Sequence, residues 1–220
     1  MHLSVIIPAY NEEKRIVKTL KEVDAYLRKQ SFNYEVLVVN DGSTDATVAV
    51  VHALQIPYLK IIDNKKNVGK GFVVRQGILH AEGEYRLFMD ADNATPLSEF
   101  EKFKGYLKEY DVIVGSRTVP GAKIVKYQPL PRRVLGKLYG FMSKIITGFW
   151  EVKDTQCGFK LMSKKAAEEV LSKCQVNGMS FDAEILVASK KIGLKIKEVP
   201  IVWIDDKNSK VTLPRMIEMF

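Results

Sequence analysis

Two aspartates that follow a short apolar run have the spacing of a cation site. Asp90 and Asp92 come directly after Tyr85–Met89, a run typical of a buried strand. Alternate residues of an extended chain point to the same side, so we expect the two carboxylates to converge where that strand ends. Carboxylates this close repel each other unless a cation lies between them. Mg²⁺ or Mn²⁺, completed by phosphate oxygens and water, would suit such a pair, although solvated loop carboxylates are the simpler explanation of so short a motif.

Three further polar clusters follow other apolar runs. Ligands of open α/β sheets lie beyond the carboxyl ends of the strands, so clusters at several strand ends predict one shared site. Asp41 is placed to accept hydrogen bonds from a nucleobase, although Gly42 and Ser43 beside it also suit a turn and a cap for the next helix. The clusters are Pro8-Ala9-Tyr10-Asn11-Glu12, Asp41-Gly42-Ser43 and Asn67-Val68-Gly69-Lys70-Gly71.

A lysine between two glycines stands where a helix is predicted to begin. Backbone N–H groups at a helix N-terminus attract phosphate, and Lys70 between Gly69 and Gly71 would add a positive charge to them. These residues therefore suit a diphosphate. A plain loop before the helix explains them equally well.

Apolar runs and amphipathic stretches alternate through the first half of the chain, which predicts a mostly parallel sheet with flanking crossover helices. The second half is less regular, with a loop at Pro120–Pro131 and an apolar helix to about Phe149. We expect one α/β domain, since 220 residues suit a single core. The predicted strands are Leu3–Ile7, Glu35–Asn40, Leu59–Asp63, Tyr85–Met89 and Asp111–Val114, and the predicted helices are Glu12–Arg28, Thr44–Leu54, Lys70–His80 and Leu97–Lys108.

The composition is that of a globular protein with a basic surface. Lys and Arg number 34 against 26 Asp and Glu, and the net charge of +8 favours nucleotides, anionic membranes or nucleic acid as partners. Cys157 and Cys174 are too few for a disulfide framework. No signal-peptide pattern precedes Leu3–Ile7, and the run Leu138–Trp150 is shorter than the ~20 residues of a membrane span. We therefore expect a chain of the cytosol.

The four polar clusters together resemble the signatures of family 2 inverting glycosyltransferases, in the same order along the first half of the chain. Gly115-Ser116-Arg117 is similar to the branch that makes polyprenyl-phosphate sugars. Within that branch the chain looks most like dolichyl-phosphate glucosyltransferases, and the resemblance then covers nearly all of it. The segments that carry this likeness are Asp154-Thr155-Gln156-Cys157-Gly158-Phe159-Lys160-Leu161, Phe181-Asp182-Ala183-Glu184 and Asn208-Ser209-Lys210.

The resemblance implies a GT-A nucleotide-diphospho-sugar transferase fold. Residues 1–210 would form the catalytic domain, with 1–120 binding the nucleotide sugar and 121–210 binding the acceptor. Asp90 would face the ribose and Asp92 the metal and diphosphate. The donor pocket would be lined by Pro8, Ala9, Tyr10, Glu12, Asp41, Ser43, Lys70, Gly71, Asp90 and Ala91.

The resemblance also assigns residues to the acceptor. Asp92, Arg117 and Lys210 would serve the transfer itself, and Asp90 and Asp92 would bind the metal. The acceptor phosphate would be held by Arg117, Arg132, Arg133, Ser209 and Lys210. The sugar or acceptor cleft would be lined by Gln156, Asp182 and Glu184, although Asp182 could instead cap a helix that opens at Phe181.

One position departs from related mannose transferases. Those resemble Asp-Ala-Asp-Leu-Gln, in which the Gln adds a metal ligand, whereas this chain has Asp90-Ala91-Asp92-Asn93-Ala94. Ala94 has no side-chain ligand atom, so the metal shell needs water, Asn93 or another group. The departure favours glucose from UDP-glucose over mannose from GDP-mannose.

A lipid phosphate acceptor would simplify the chemistry. The second pKa of a phosphate monoester is near 6, so the acceptor is already ionised in the cytosol and needs no general base. Catalysis then depends on orientation and on cations that neutralise the departing diphosphate. Direct displacement inverts the anomeric carbon, so an α-linked donor would give a β-linked lipid.

Cations alternate with large apolar side chains from Lys123 to Lys144. A helix over 131–149 either packs on the core with its lysines extended to solvent, or lies at a membrane interface with its cations near lipid phosphates. The second alternative predicts peripheral attachment to the cytoplasmic face of a membrane, and residues 211–220 read as the start of another interfacial helix. The cations are Lys123, Lys126, Arg132, Arg133, Lys137 and Lys144.

Other functional classes fit the sequence less well. A dinucleotide-dependent dehydrogenase would have Gly-x-Gly-x-x-Gly where this chain has Pro8–Glu12, and neither a P-loop nor a nucleic-acid-binding motif is present. Three alternatives stay open: a transferase that uses GDP-mannose, a family 2 transferase that acts on a soluble glycan, and a non-catalytic membrane-peripheral domain that binds nucleotide sugars. No pattern indicates an oligomeric state.

Overall fold

The computed structural model describes residues 2–126 and 129–204, with Pro131 described through its backbone alone. The described residues form nine strands, of which seven make one sheet in the order β3-β2-β1-β4-β7-β5-β8 and two, β6 and β9, pair separately. The strands are β1 (His2–Ala9), β2 (Asn33–Asp41), β3 (Leu59–Asn64), β4 (Tyr85–Met89), β5 (Val112–Ser116), β6 (Lys123–Lys126), β7 (Phe159–Ser163), β8 (Ile196–Pro200) and β9 (Val202–Ile204).

The seven-stranded sheet is parallel except at one strand. β1 pairs in parallel with β2 and β4, and β5 pairs in parallel with β8. β7 lies antiparallel between β4 and β5, with Phe159 opposite Met89. The expected mostly parallel α/β architecture is confirmed. The antiparallel strand begins beside the point where β4 ends, which brings the residue before Phe159 close to the first residue after Met89.

Helices cover both faces of the sheet, because its central strands are apolar on both sides. Ile6 and Ile7 of β1 are both fully buried and belong to the cores on opposite faces. β1 alone contributes seven buried residues in succession, as expected for a strand covered twice. The helices are α1 (Ile16–Leu27), α2 (Thr47–His52), α3 (Lys70–His80), α4 (Leu130–Thr147), α5 (Lys164–Leu171) and α6 (Phe181–Lys191).

Three predicted helices have different bounds or geometry. The expected α-helix at Leu97–Lys108 is wrong: the chain there makes two 3₁₀ segments, Leu97–Lys102 and Lys104–Tyr106. Phe100 and Phe103 both point into the core, and the 3₁₀ geometry suits this spacing because residues three apart eclipse each other. The helix expected from Glu12 begins at Ile16, and the one expected at Thr44–Leu54 spans Thr47–His52.

The segment after β5 is more ordered than its prolines suggested. β6 lies inside the expected loop Pro120–Pro131 and pairs in parallel with β9. The helix expected over 131–149 runs from Leu130 to Thr147 and ends at Gly148, whose φ of 66° is left-handed. The expected interfacial helix at 211–220 lies outside the described residues.

Candidate active site

A cavity of about 650 Å³ opens at the carboxyl end of β4. Asp90 and Asp92 form part of its lining, Arg117 after β5 lines it together with Asp154, and α4 contributes a further basic side. The structure therefore brings the predicted aspartate pair and the predicted phosphate-binding arginines to one cavity. The cations of the α4 side are Arg132, Arg133, Lys137 and Lys144.

Asp90 is paired with the lysine that begins α3. Lys70 Nζ lies 2.6 Å from Asp90 Oδ1. Burial opposes the charge of this lysine, but the carboxylates of Asp90 and Asp182 outweigh burial and raise the pKa of Lys70 above its ordinary value. Lys70 is therefore a fixed positive charge in the cavity.

Asp92, like Asp90, is half-buried, and it lies in the same cavity lining. Burial, followed by the charge of Asp90, raises the pKa of Asp92 from 3.8 to about 6. Its Oδ1 accepts a hydrogen bond from the backbone N–H of Ala94 at 3.0 Å. A negative charge at this carboxyl would be stabilised by any cation brought between the two aspartates.

The residues present fit a cation that is shared with a substrate phosphate. The described part of the chain contains no group of three or more Asp, Glu, His or Cys suited to a metal ion. Asp90 and Asp92 would therefore supply two protein ligands, and Asn93 follows directly after Asp92. The Oδ1 atom of Asn93 is buried without a hydrogen-bond partner among the described residues. Mg²⁺ commonly binds through one or two carboxylates plus phosphate oxygens and water, which matches this donor set.

A glycine allows the close approach of Asp90 to β7. A Cβ atom added to Gly158 would lie 2.0 Å from Asp90 Oδ2. This contact follows from the antiparallel register in which Phe159 lies opposite Met89. The sequence indicates no role for Gly158, and this tertiary contact provides one.

Arg117 is held by Asp154. Its Nε and Nη2 atoms donate to the two carboxylate oxygens of Asp154 at 2.7 and 2.8 Å, and its backbone N–H adds a third bond at 3.0 Å. Burial would raise the pKa of Asp154, but the Arg117 guanidinium lowers it below its ordinary value. The guanidinium also lies 5.6 Å from the centre of the Trp203 ring, another residue of the cavity lining.

A second buried ion pair, unforeseen from the sequence, lies beneath the cavity. Lys160, in the middle of β7, is fully buried and donates to Asp182 in the first turn of α6 and to the Cys157 carbonyl. Asp182 forms part of the cavity lining, and its predicted contact with sugar or acceptor stays a prediction. It does not cap its helix, whose N-cap residue is Ser180. Burial raises the pKa of Asp182 despite this lysine.

Some predicted donor residues organise the loops around the cavity. Asp41 is buried and accepts from the backbone N–H groups of Val68 and Gly69 at 2.7 and 3.2 Å. Burial raises the pKa of Asp41, and these two bonds lower it in part. Asp41 therefore fixes the loop that leads into Lys70. Its predicted contact with a nucleobase stays a prediction.

The loop after β1 is bonded to the loop after β2. Pro8 and Ala9 are buried at the end of β1, and Tyr10 follows half-buried. Ser43 accepts from the backbone N–H of Asn11 at 2.9 Å, so its hydroxyl joins the two loops instead of capping α2. Glu12 pairs with Arg15, Nε to Oε2, at 2.7 Å. The backbone N–H of Glu13 also donates to Asp45 at 3.2 Å, so this stretch is bonded to the loop after β2 and α1 begins only after it.

The remaining predicted residues divide between the cavity and its supports. Gln156 lines the cavity, and its Nε2 atom is buried without a hydrogen-bond partner in the described structure. Gly71 packs against residues 176–178. Glu184 accepts from the backbone N–H groups of Gln175 and Val176, so it stabilises that loop and is not part of the described lining. Ala91 is buried, with its carbonyl bonded to Thr19. Ser209 and Lys210 lie outside the described residues.

α4 combines the basic side of the cavity with exposed apolar side chains. Phe141 is 53% exposed and makes an edge contact with Trp150, which is 55% exposed. Every helix in the described part of the chain is too short or too polar to cross a membrane. The other exposed apolar residues of α4 are Leu130, Val134, Leu138, Ile145 and Ile146.

Comparison with known proteins gives one family for most of this chain. The model of glycosyl transferase family 2 matches residues 4–171. A dolichyl-phosphate beta-glucosyltransferase of Trichomonas vaginalis is 38% identical over 100% of this chain and 68% of its own length. Enzymes of the same name from Saccharomyces cerevisiae and Homo sapiens are 34% and 35% identical, covering 96% and 95% of this chain and 69% of their own lengths.

Solved structures share the fold at lower identity. Glucosyl-3-phosphoglycerate synthase of Mycobacterium tuberculosis, crystallised with Mn²⁺, UDP and glucosyl-3-phosphoglycerate, is 16% identical with a TM-score of 0.73 over 99% of this chain and 75% of that chain. Staphylococcus aureus TarS 1–349 with UDP-GlcNAc is 22% identical with a TM-score of 0.62 over 100% of this chain and 64% of that chain. These structures support the expected GT-A architecture.

Proposed function

The chain belongs to glycosyl transferase family 2, and we propose that it transfers glucose from UDP-glucose to the phosphate of dolichol or a related polyprenol. Relatives at 34% to 38% identity that cover nearly all of this chain are named dolichyl-phosphate beta-glucosyltransferases. One structural observation carries the proposal: a pair of carboxylates and a set of cations from separate elements line the same cavity.

The carboxyl ends of β1, β2 and β4 provide the donor side. The loops after these strands are fixed by Asp41, Ser43 and Glu12 before any ligand arrives. Lys70 stands beside Asp90 with its charge maintained by carboxylates. A donor bound here would meet its ribose and diphosphate contacts at Asp90, Asp92 and Lys70, and UDP is the nucleotide in solved neighbours of this fold.

A divalent cation, Mg²⁺ or Mn²⁺, is part of this proposal. Asp90 and Asp92 would hold it, together with diphosphate oxygens of the donor. When bound, such an ion draws negative charge from the departing diphosphate. The support is the fit of the two carboxylates and the Mn²⁺ present in one solved neighbour.

The cations of α4 and Arg117 provide the acceptor side. Arg117 is oriented by Asp154, and Arg132 and Arg133 line the cavity from the first turns of α4. Guanidinium groups bind phosphate oxygens in pairs, so these residues suit a phosphate monoester. If the acceptor were instead a hydroxyl of a soluble glycan, these arginines would have no acceptor anion to bind.

The transfer needs no proton removal from the acceptor. An ionised phosphate oxygen attacks the anomeric carbon of glucose as the bond from that carbon to the diphosphate oxygen breaks. The electron pair leaves with UDP, where Lys70 can neutralise it. Arg117 holds the attacking phosphate in line with that bond. Attack from the face opposite the leaving group inverts the carbon, so an α-linked donor gives a β-linked lipid.

We further propose that α4 rests on the cytoplasmic face of a membrane. Its exposed apolar side chains would enter the acyl boundary, and its cations would face lipid phosphates. A polyprenyl phosphate could then reach the cavity from the bilayer without leaving it. The basic net charge of +8 supports attraction to an anionic surface.

The test is transfer of radiolabelled sugar to a panel of acceptors. The purified chain is incubated with labelled UDP-glucose or GDP-mannose, Mg²⁺ or Mn²⁺, and dolichyl phosphate, polyprenyl phosphate or a soluble glycan. We expect label from UDP-glucose to enter the organic phase with either lipid phosphate, and Asp92→Ala to abolish that transfer. Label from GDP-mannose or label on the glycan would select those alternatives, and UDP-glucose binding without turnover would select the non-catalytic one.

A further inference from the structure

Lys70 lies where it would compete with a metal ion for Asp90. Its Nζ atom is 2.6 Å from Asp90 Oδ1, and 24% of its side chain is exposed. Asp92 and Asp182 add attraction from a longer distance, and the ammonium lies 5.8 Å from the centre of the Phe181 ring. The lysine therefore supplies a positive charge directly beside Asp90.

We propose that Lys70 takes the place of the cation in the donor-free chain and gives up Asp90 when a nucleoside diphosphate arrives with its metal. This inference rests on the proposed function only in taking a nucleoside diphosphate and a divalent ion as the ligands. It makes Lys70 the residue that couples the binding of the metal to the binding of the nucleotide.

The two cations cannot both contact Asp90 at low cost. An ammonium and a divalent ion a few Å apart repel strongly at the low effective dielectric of a protein site. Binding of metal alone would therefore force Lys70 away from Asp90 and leave the ammonium without its closest anion. Metal binding without nucleotide is opposed by that loss.

Among the described residues, the other carboxylates that line the cavity are Asp92, Asp154 and Asp182, and Asp154 is already paired with Arg117. Asp182, which attracts Lys70 at longer range, already accepts a hydrogen bond from the buried Lys160. Asp92 would be a ligand of the incoming metal. The diphosphate of the donor is thus the anion that can accept Lys70, and its oxygens would also bind the metal.

The backbone at Lys70 is fixed, so the exchange would involve the side chain alone. The N–H of Gly71 donates to the Asn177 carbonyl at 2.8 Å. Gly69 has a φ of 102°, and a Cβ atom added there would lie 2.3 Å from the same carbonyl oxygen. The flexible stem of the lysine can move the ammonium while these contacts hold the start of α3 in place.

The experiment measures Mn²⁺ binding by the electron paramagnetic resonance of the free ion, with and without UDP. Lys70→Met removes the charge and keeps a flexible apolar stem. Without UDP we expect this variant to bind Mn²⁺ roughly tenfold more tightly than the unmodified chain, because one opposing charge is gone. UDP should tighten Mn²⁺ binding strongly in the unmodified chain and by a smaller factor in Lys70→Met.

Lys153→Met is the matched control, because Lys153 lines the same cavity and its loss changes the net charge equally. Mn²⁺ affinity of Lys70→Met that equals or falls below that of Lys153→Met without UDP would overturn the proposal. The double variant Asp90→Asn with Lys70→Met should lose the gain, and retention of the gain would also overturn it. These binding data are independent of transfer, so failure of the acceptor assay alone would count against the proposed function and leave the exchange standing.

Discussion

Arg117 and Asp154 form a two-point ion pair, with Nε 2.7 Å from Oδ2 and Nη2 2.8 Å from Oδ1. The carboxylate of Glu198 accepts from the backbone N–H of Asp154 at 2.8 Å and so fixes the loop that carries it. The plane of the guanidinium is set by these bonds before a ligand binds. A guanidinium has five donors, so N–H groups besides the two that bind Asp154 could bind phosphate oxygens.

Arg117→Lys tests this geometry. A lysine keeps the charge but cannot make the two-point contact with Asp154. We expect kcat/KM for the lipid phosphate to fall about 10- to 100-fold, in line with the loss of one or two charge-assisted hydrogen bonds, while the affinity for UDP stays unchanged. Arg28→Lys is the control, because Arg28 pairs with Asp24 at the end of α1, away from the cavity, and it should leave both values as they are. Equal losses in the two variants would remove Arg117 from the acceptor site.

Gly158→Ala tests the contact between β7 and the aspartate pair. The added Cβ atom would lie 2.0 Å from Asp90 Oδ2, so the carboxylate must move. We expect transfer activity and Mn²⁺ affinity to fall by at least tenfold with secondary structure retained, as seen by circular dichroism, since a displacement near 1 Å can cost about 100-fold. Gly105→Ala has open space around the new atom and should change neither property. Full activity of Gly158→Ala would show that the position of Asp90 is unimportant.

Asp92→Asn should stabilise the metal-free chain at neutral pH. The pKa of Asp92 is raised from 3.8 to about 6, so the folded state binds its proton more tightly than the unfolded state does. Stability therefore falls as pH rises through that interval, and the ionised carboxyl is destabilising above it. In EDTA at pH 7.5 we expect a melting temperature a few degrees higher than that of the unmodified chain, and the difference should shrink as pH approaches 4.

The same variant should lose thermal protection by UDP with Mn²⁺, because the amide is a poorer metal ligand than the carboxylate. Asp63→Asn is a control in which the change in melting temperature should have the opposite sign, since Lys65 and Asn40 lower the pKa of Asp63. That control should be slightly less stable at pH 7.5. A melting temperature of Asp92→Asn below that of the unmodified chain would contradict the assigned burial of this charge.

Phe141→Ser tests the membrane face of α4. Phe141 is 53% exposed, so its loss should leave the melting temperature unchanged. We expect the affinity for vesicles with anionic lipids to weaken by about tenfold, because the variant loses the free energy gained by burying one aromatic side chain. Added salt should weaken this binding further. Leu79→Ser on α3 removes an apolar side chain of similar exposure away from α4 and should bind vesicles as the unmodified chain does. Equal binding by Phe141→Ser would exclude this face as the contact.

The donor half was predictable because its signals are local. Each of β1, β2 and β4 is an apolar run that ends in polar residues, and the parallel arrangement brings those ends together. The aspartate pair after β4 could therefore be placed at the sheet edge from sequence. The 3₁₀ geometry at Leu97–Lys102 could not be predicted from sequence, since it follows from how Phe100 and Phe103 pack into the core.

The supports of the site depend on contacts between distant residues. Lys160 interrupts the apolar run of β7, so the sequence pattern did not predict this strand. The charge of Lys160 is compensated by Asp182, 22 residues later. Asp154 and Arg117 are 37 residues apart. Glu184 carried the same resemblance as Asp182, yet α6 turns it toward the backbone of Gln175. Such pairings arise from tertiary structure, and the lone polar residue inside β7 was the signal that could have indicated one of them.

The most direct test of the account is the position of the metal in a crystal of this chain grown with UDP and Mn²⁺. We expect an anomalous Mn²⁺ peak within bonding distance of Asp92 and Asp90 and of the UDP diphosphate, with Lys70 Nζ turned from Asp90 to a phosphate oxygen. A peak elsewhere in the cavity, with both aspartates directed away from the nucleotide, would contradict it.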